Sequence, residues 1–175
     1  MVLSIAVADW ELGRQMLSWM MGGLEGRTWT HAAIAAPPVL IGSAALLLRA
    51  RELDALALGE ESAASLGVDV PALRRAVLVL VALATGATVA VMGSIAFLGL
   101  MAPHAVRLLI GPAHRGVLLG SAAAGGIGLV LADALCRAVA SSMDLRPGVV
   151  TAMLGGPFFL WLLVRDRGAI GSEAK

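Results

Sequence analysis

The pattern of apolar and polar positions divides the chain into apolar blocks that are separated by short polar stretches. Most of these blocks reach or approach the roughly 20 residues that an α-helix needs to cross a bilayer. The predicted spans are residues 31–48, 72–92, 97–110, 116–140 and 148–164. The pattern therefore predicts an all-α fold, a polytopic transmembrane helix bundle with short cytoplasmic helices, forming one domain over residues 1–175.

Three local features predict how these spans are shaped. Pro37 and Pro38 predict a kink in the first span, and Gly93-Ser94 predicts a break after the second. As a helix, the block 97–110 covers only about 21 Å of a hydrocarbon core of roughly 30 Å, so it is predicted to be a thin crossing. A repeat of small residues every four positions predicts a face that another helix approaches closely. This ridge consists of Gly116, Gly120, Ala124, Gly128 and Ala132.

Composition supports the membrane interpretation and excludes several other classes. Hydrophobic residues make up 59% of the 175 residues and charged residues 14%, whereas a soluble domain has about 25% charged residues. Cys136 is the only cysteine, which excludes a disulfide framework and a cysteine metal site. No nucleic-acid partner is predicted, because the arginines lie at segment ends and form no stripe. Residues 1–8 are apolar but lack a basic region, so we interpret them as the end of a helix and not as a signal peptide.

Residues 9–30 are predicted to form an amphipathic helix that lies on the outer membrane surface. The alternative is a plain connecting loop. Tryptophan side chains favour the membrane–water interface, and three of them occur in this segment. They are Trp10, Trp19 and Trp29. The apolar positions at helical spacing are Leu12, Met16, Trp19, Met20 and Gly23.

The distribution of arginines predicts the topology, because basic residues collect on the cytoplasmic side. We place the loop 49–75 in the cytoplasm, so that the span 31–48 runs inward and 72–92 runs outward. If the block 97–110 returns inward, four further arginines also become cytoplasmic: Arg107, Arg115, Arg165 and Arg167. Three arginines then remain outside: Arg14, Arg27 and Arg146. If the short block did not cross, the charge balance would be worse.

The polar loop 49–71 contains a stretch, residues 52–67, that is too apolar for a solvated loop and too short to span. Its leucines alternate with acids, and Gly59 and Gly67 bracket two short helical pieces. A cytoplasmic partner with a groove could bury these leucines. Alternatively, the loop folds back on the ends of its own helices.

Four blocks of the sequence resemble, in order, the iron-siderophore, haem and cobalamin permease family of ABC importers (FecCD-type). They are WMMGGLEGRTW from residue 19, LALGEESAASLGV from residue 56, GSIAFLGLMAPHAVRLLIGPAHR from residue 93 and PGVVTAMLGGPFFLWLL from residue 147. Ser94 and Ala96 stand where Pro and Gly are common in the family, and Pro147 is shifted by one position. The resemblance covers only the C-terminal half of a family member, without the helices that normally carry the cytoplasmic gate.

The resemblance implies a permease subunit in a bacterial-type inner (cell) membrane, paired with a second permease subunit as a homodimer or heterodimer. Cytoplasmic ATPase subunits would hydrolyse ATP, and an extracytoplasmic binding protein would deliver the chelate. The residues implied to contact the ATPase are Leu53, Leu56, Leu58, Glu60, Glu61 and Leu66. The family's most specific motif corresponds to Gly93, Phe97, Gly99, Pro103, His104 and Arg107.

The resemblance also implies that Arg137 docks the binding protein near the outer end of the span 116–140. The alternative for Arg137 is an ion pair with Asp133, four residues earlier on the same helix face. A charge within a membrane helix needs some partner in either case.

No residues are predicted to be catalytic, and no metal site or cofactor is expected. His104 alone makes a poor metal site, so a structural hydrogen bond is predicted for it. His31 and His114 lie near segment ends and are predicted to be solvated. Two other functions remain open: a truncated fragment that does not transport, and a proton-coupled secondary carrier. The carrier would need several intramembrane acids, and only Asp133 fits.

Overall fold

The structure is a computed structural model that describes residues 10, 12, 13, 16, 19–139 and 146–170. Within these ranges the regular structure is helical and no strand occurs. The helices are α1 (Trp29–Leu48), α2 (Ala50–Ala57), α3 (Glu60–Ser65), α4 (Val70–Met92), α5 (Leu98–Ile110), α6 (His114–Val139) and α7 (Pro147–Ile170). This architecture confirms the predicted all-α bundle with short helices in the loop between the first two spans.

Three helices are long and apolar enough to cross a membrane, namely α1, α4 and α6. Two shorter apolar helices, Leu98–Ile110 and Pro147–Leu162, accompany them. Large apolar side chains such as Ile34, Leu78 and Ile127 are exposed along the long helices. Such surfaces suit lipid or neighbouring helices, so the chain is a multi-pass membrane protein.

Helices α1 and α4 pack together through a glycine. A Cβ atom added at Gly42 would lie 3.1 Å from the Leu80 carbonyl oxygen and 3.3 Å from the Ala84 Cβ. The absence of a side chain at Gly42 therefore lets the two backbones approach closely, as is common between helices in lipid. Pro37 and Pro38 lie inside α1, which continues through them.

The predicted ridge of small residues on α6 is confirmed where the ridge faces α5. Added Cβ atoms at Gly116, Gly120 and Gly128 would lie 3.2, 2.7 and 3.0 Å from side-chain atoms of Ile110, Val106 and Leu98, respectively. Ala132, the last residue of the ridge, is also buried. Helices α5 and α6 therefore form a close antiparallel pair that is joined by the turn at Gly111 and Pro112.

The break predicted at Gly93-Ser94 is confirmed. Helix α4 ends at Met92, residues 93–96 are not helical, and Phe97 has a left-handed backbone with φ of 63°. Helix α5 then runs for 13 residues, which is about 20 Å of helix. It leads from the end of the bundle that holds Gly93 back to the end that holds α2 and α3.

The sequence also predicts a frayed tail from residue 168, and the start of that tail was wrong. The helix of the predicted span 148–164 continues beyond that span, because its backbone stays helical to Ile170. Gly168 is the only weak helix former in that stretch, and one glycine costs about 1 kcal/mol, which does not end a helix. The predicted frayed tail, 168–175, is thus helical to Ile170 and otherwise lies outside the described residues. The residues between the last two predicted spans, 141–147, which the sequence predicts to be a polar turn, also lie largely outside them.

The predicted amphipathic segment is helical at each described position from Trp10 to Met20. Gly23 was wrongly assigned to that helix, because residues 22–24 are not helical. The backbone turns there so that the N–H of Gly23 donates to the Met92 carbonyl oxygen at 2.8 Å. This turn brings the segment against the break that follows α4.

Candidate functional site

The loop between α1 and α4 folds into two short helices, α2 and α3, which we call the coupling segment (residues 49–69). Gly59 and Gly67, which bracket α3, have φ of 111° and 84°, values that favour glycine. Asp69 ends the segment by accepting a hydrogen bond from the Ala72 N–H at 3.0 Å, which caps α4. The prediction of two glycine-bracketed helical pieces is therefore confirmed.

The leucines of the coupling segment divide into two groups. Leu58 and Leu66 are 73% and 67% exposed, whereas Leu53 and Leu56 are half-buried. The acids implied to act with them, Glu60 and Glu61, are exposed. Two of the leucines are thus partly covered within this chain and two are exposed to solvent, and the predicted contact with a partner stays a prediction.

A carboxylate of the coupling segment caps a transmembrane helix. One oxygen of Asp54, Oδ1, accepts from the His114 backbone N–H at 2.8 Å and from the His114 Nδ1–H at 2.7 Å. The first N–H groups of a helix lack partners within that helix, so Asp54 supplies one for α6. The prediction that His114 is solvated was wrong, because its side chain is only 21% exposed and binds Asp54.

Two hydrogen bonds hold the pKa of Asp54 below the usual aspartate value. The bond from the His114 backbone has the larger effect and the bond from its imidazole the smaller, while partial burial acts in the opposite direction. Both bonds favour the charged carboxylate, and the start of a helix does so as well. Asp54 is therefore ionised at neutral pH and is suited to a permanent structural contact.

The pH dependence of Asp54→Asn stability tests this contact. Because the pKa of Asp54 is lower in the folded protein than in the unfolded chain, ionised Asp54 stabilises the fold. This stabilisation is fully present above the ordinary aspartate pKa, and it is lost as the pH falls through the lower pKa of the folded protein. We expect the difference in melting temperature between the parent and Asp54→Asn to shrink below about pH 4. Thermal melts in detergent from about pH 6 to about pH 2.5 would measure it. A difference that stays constant over this range would contradict the assignment.

Two further ion pairs hold the coupling segment. Glu60, at the start of α3, pairs with Arg74 on the first turns of α4. Arg49 and Glu52 form a local pair at 3.2 Å. The Glu60–Arg74 pair is largely exposed and the Arg49–Glu52 pair is about 40% exposed, so each contributes little to stability by itself. The Glu60–Arg74 pair connects α3 to α4, whereas the Arg49–Glu52 pair is local to the start of α2.

A cavity of about 610 Å³ lies between α4, α5 and α6. Four residues of the predicted motif line it: Gly93, Gly99, Pro103 and Arg107. Its polar lining also includes Thr85, Thr88, Ser121 and His114. The Ser121 hydroxyl is buried and has no hydrogen-bond partner among the described residues.

The other two motif residues, Phe97 and His104, do not line this cavity and face α7. An added Cβ at Gly155 of α7 would overlap the Phe97 side chain, and the His104 ring meets Phe158 edge-on at 5.8 Å. The hydrogen bond predicted for His104 is not found at Nε2, which is buried without a partner in the described part of the chain. Aromatic packing positions the ring instead.

At the end of the bundle opposite the coupling segment, three chain segments cross at glycines. A Cβ at Gly93 would overlap the Trp19 carbonyl oxygen, and one at Gly22 would overlap the Ser94 carbonyl oxygen. A Cβ at Gly148 would overlap the Met21 carbonyl oxygen. We call Gly22, Gly93 and Gly148 the glycine crossing.

Arg137 forms the ion pair that was the alternative to a docking role. Its Nε lies 2.7 Å from the Asp133 Oδ2. Asp133 is 19% exposed, whereas the arginine is 72% exposed, so most of the guanidinium remains accessible. The described residues contain no group of three or more His, Cys, Asp or Glu side chains placed to hold a metal ion.

The sequence and the fold of this chain are similar to those of known proteins. Residues 1–165 match the FecCD transport family. The chain is 47% identical to the cobalamin import system permease protein BtuC of Halobacterium salinarum over 154 residues, which are 88% of this chain and 41% of that protein. It is 40% identical to the hemin transport system permease protein HmuU of Yersinia pestis, covering 92% of this chain and 48% of the relative.

A third relative is the Fe(3+) dicitrate transport system permease protein FecD of Escherichia coli, which is 43% identical over 86% of this chain and 48% of its own. A solved inward-facing structure of a metal-chelate type ABC transporter superimposes with a TM-score of 0.79 at 30% identity, covering 87% of this chain and 49% of that one. The chain thus spans about half the length of the relatives that it matches.

Proposed function

This chain belongs to the FecCD transport family, and from that membership we propose that it acts within a permease subunit of an ATP-driven importer of metal chelates. The chelates would be of the iron-siderophore, haem or cobalamin type, since the relatives' names refer to cobalamin, hemin and Fe(3+) dicitrate. ATP would be hydrolysed by partner subunits in the cytoplasm of a bacterial-type cell.

One observation carries this proposal: the coupling segment presents two exposed leucines while its acids fasten it to α4 and α6. Leu58 and Leu66 are both exposed at the end of the bundle, outside the spans. A partner that buried them would gain about 2 kcal/mol for each leucine. Because the segment is fixed to the bundle, force applied there by a moving ATPase would reach the spans.

The arrangement of charges supports the proposed topology. The contact between Asp54 and His114 places the start of α6, and with it Arg115, at the same end as the coupling segment. The end of α5, with Arg107, lies at this end too, because α5 leads directly into α6. Arg27 and Arg146 adjoin the glycine crossing at the opposite end. Basic residues therefore concentrate at the end that we assign to the cytoplasm.

A binding protein would dock at the opposite end, where Arg137 is exposed although it pairs with Asp133. A proton-coupled carrier would need several intramembrane acids, and Asp133 is the one that fits the predicted spans. A second permease subunit would cover part of the exposed apolar surface of the spans.

Co-purification with ATPase subunits tests the proposal. The full chain would be expressed in membranes with each ATPase of the metal-chelate ABC importers from the same organism, one at a time. We expect one ATPase to be retained in detergent and to hydrolyse ATP, and the assembled importer to take up a chelate. Failure of every ATPase to bind a chain that is folded and monodisperse would contradict the proposal. Binding without uptake would identify a fragment that does not transport.

A further inference from the structure

Two acids fasten the coupling segment to two different transmembrane helices. Asp54, on α2, holds the start of α6, and Glu60, on α3, holds the first turns of α4. Helices α4 and α6 form facing walls of the cavity of about 610 Å³, and His114 is itself part of its lining. The segment that would meet the ATPase is therefore linked by side chains to both walls of a cavity inside the bundle.

The link to α6 is the more rigid of the two. Asp54 has a short side chain, and its Oδ1 receives two hydrogen bonds from the same residue at 2.8 and 2.7 Å, one from the backbone and one from the ring. Two bonds to one residue fix both the position and the orientation of α2 relative to the start of α6. The backbone bond also acts on the helix itself and not only on a side chain.

The link to α4 is more compliant. Glu60 and Arg74 both have long side chains, and these are 59% and 56% exposed. Exposed pairs of this kind are screened by solvent and form at the expense of side-chain freedom. The pair acts only between side-chain ends, and α3 is joined to the α4 backbone instead by residues 66–69, of which Asp69 caps α4.

We propose that Asp54 is the positioning residue through which movement of the coupling segment is passed to α6, a helix that no adjacent stretch of chain joins to that segment. A displacement of α2 would then carry α6 with it and change the separation of the two cavity walls. This proposal rests on the proposed function, since it assumes that an ATPase moves the coupling segment. It assigns Asp54 no part in binding that ATPase, for which the exposed Leu58 and Leu66 are available.

The first test compares Asp54→Ala and Asp54→Asn with the control Glu52→Ala in the assembled importer. Glu52 is an acid of the same helix, but it pairs only locally, with Arg49. We expect all three variants to retain the ATPase and its basal hydrolysis. Chelate uptake per ATP hydrolysed should fall about tenfold in Asp54→Ala, a change in the range that coupling residues produce. The fall should be smaller in Asp54→Asn, whose amide oxygen still accepts a bond, and absent in Glu52→Ala.

A second test replaces the hydrogen bonds by a covalent link. Cys136 is the only cysteine, so Asp54→Cys and His114→Cys can be joined by a short bifunctional thiol reagent in a Cys136→Ala background. Without the reagent, uptake per ATP should be low, as in Asp54→Ala. With the reagent it should recover to within about threefold of the Cys136→Ala parent, because the two helices are again joined.

Two results would overturn the inference: uptake per ATP in Asp54→Ala within about twofold of the parent, or complete loss of uptake when the cysteines are joined. The second result would mean that α2 and α6 must separate during transport. Neither result bears on the proposed function itself, which is tested by ATPase binding and uptake in the unmodified importer.

Discussion

Replacing Gly93 by alanine is expected to prevent the bundle from folding. A methyl group at this position would overlap the Trp19 carbonyl oxygen and lie 3.0 Å from the Gly22 Cα, so it meets backbone atoms that cannot rotate away. Gly93 also has φ of 74° and ψ of −168°, a conformation that is essentially restricted to glycine. Backbone strain and steric overlap together should lower the free energy of unfolding by more than about 4 kcal/mol, which is a large part of the stability of a typical domain.

Alanine substitutions at two other glycines allow the effects of backbone strain and of steric overlap to be measured separately. Gly111 has nearly the same backbone conformation, with φ of 92° and ψ of −178°, but nothing lies within 4 Å of an added Cβ. Gly111→Ala should therefore lower the free energy of unfolding by the cost of backbone strain alone, which is about 1–3 kcal/mol. Gly86 lies within α4 with open space around it, so Gly86→Ala should be neutral or stabilising by up to about 1 kcal/mol.

The measurement is the yield of monodisperse protein after detergent extraction, followed by the melting temperature of each variant that is recovered. The expected order of stability is Gly86→Ala, then Gly111→Ala, with little or no recovery of Gly93→Ala. If Gly93→Ala and Gly111→Ala melted at the same temperature, backbone strain would account for the whole effect, and the close crossing with Trp19 would be refuted.

The sequence predicted those features that depend on local chemistry. Gly59 and Gly67 bracket a short helix because glycine alone readily adopts their positive φ, and Gly93 ends α4 for the same reason. The ridge at Gly116, Gly120 and Gly128 was predictable because small residues every four positions lie on one helix face. In each case the relevant residues lie within a few positions of one another.

Contacts between distant residues could not be predicted in this way. Asp54 and His114 are 60 positions apart, and neither stands out by periodicity, so the residue that caps α6 was missed. A weak signal existed, since α6 begins at His114 without an acid in its first turn and so needs an acceptor from elsewhere. The division of the leucines into exposed and half-buried pairs also depends on how α2 meets the bundle.

Replacing Leu58 and Leu66 together by aspartate is expected to abolish binding of the ATPase while the bundle stays intact. Both side chains are exposed, so aspartate meets only solvent in the free protein and the melting temperature should change little. In the complex, each change removes about 2 kcal/mol of apolar burial and adds the cost of desolvating a carboxylate. The affinity should therefore fall by more than about a hundredfold.

Leu58→Met with Leu66→Met is the matched control, because methionine keeps the apolar volume and should retain binding within about tenfold. Leu56→Asp provides a contrast, since Leu56 is half-buried and its replacement should lower the melting temperature as well. Retention of the ATPase in detergent, titrated against ATPase concentration, would measure each affinity. If the double aspartate variant bound as tightly as the methionine control, the exposed leucines would not be the contact surface. The half-buried face of α2 would then have to reorganise on binding.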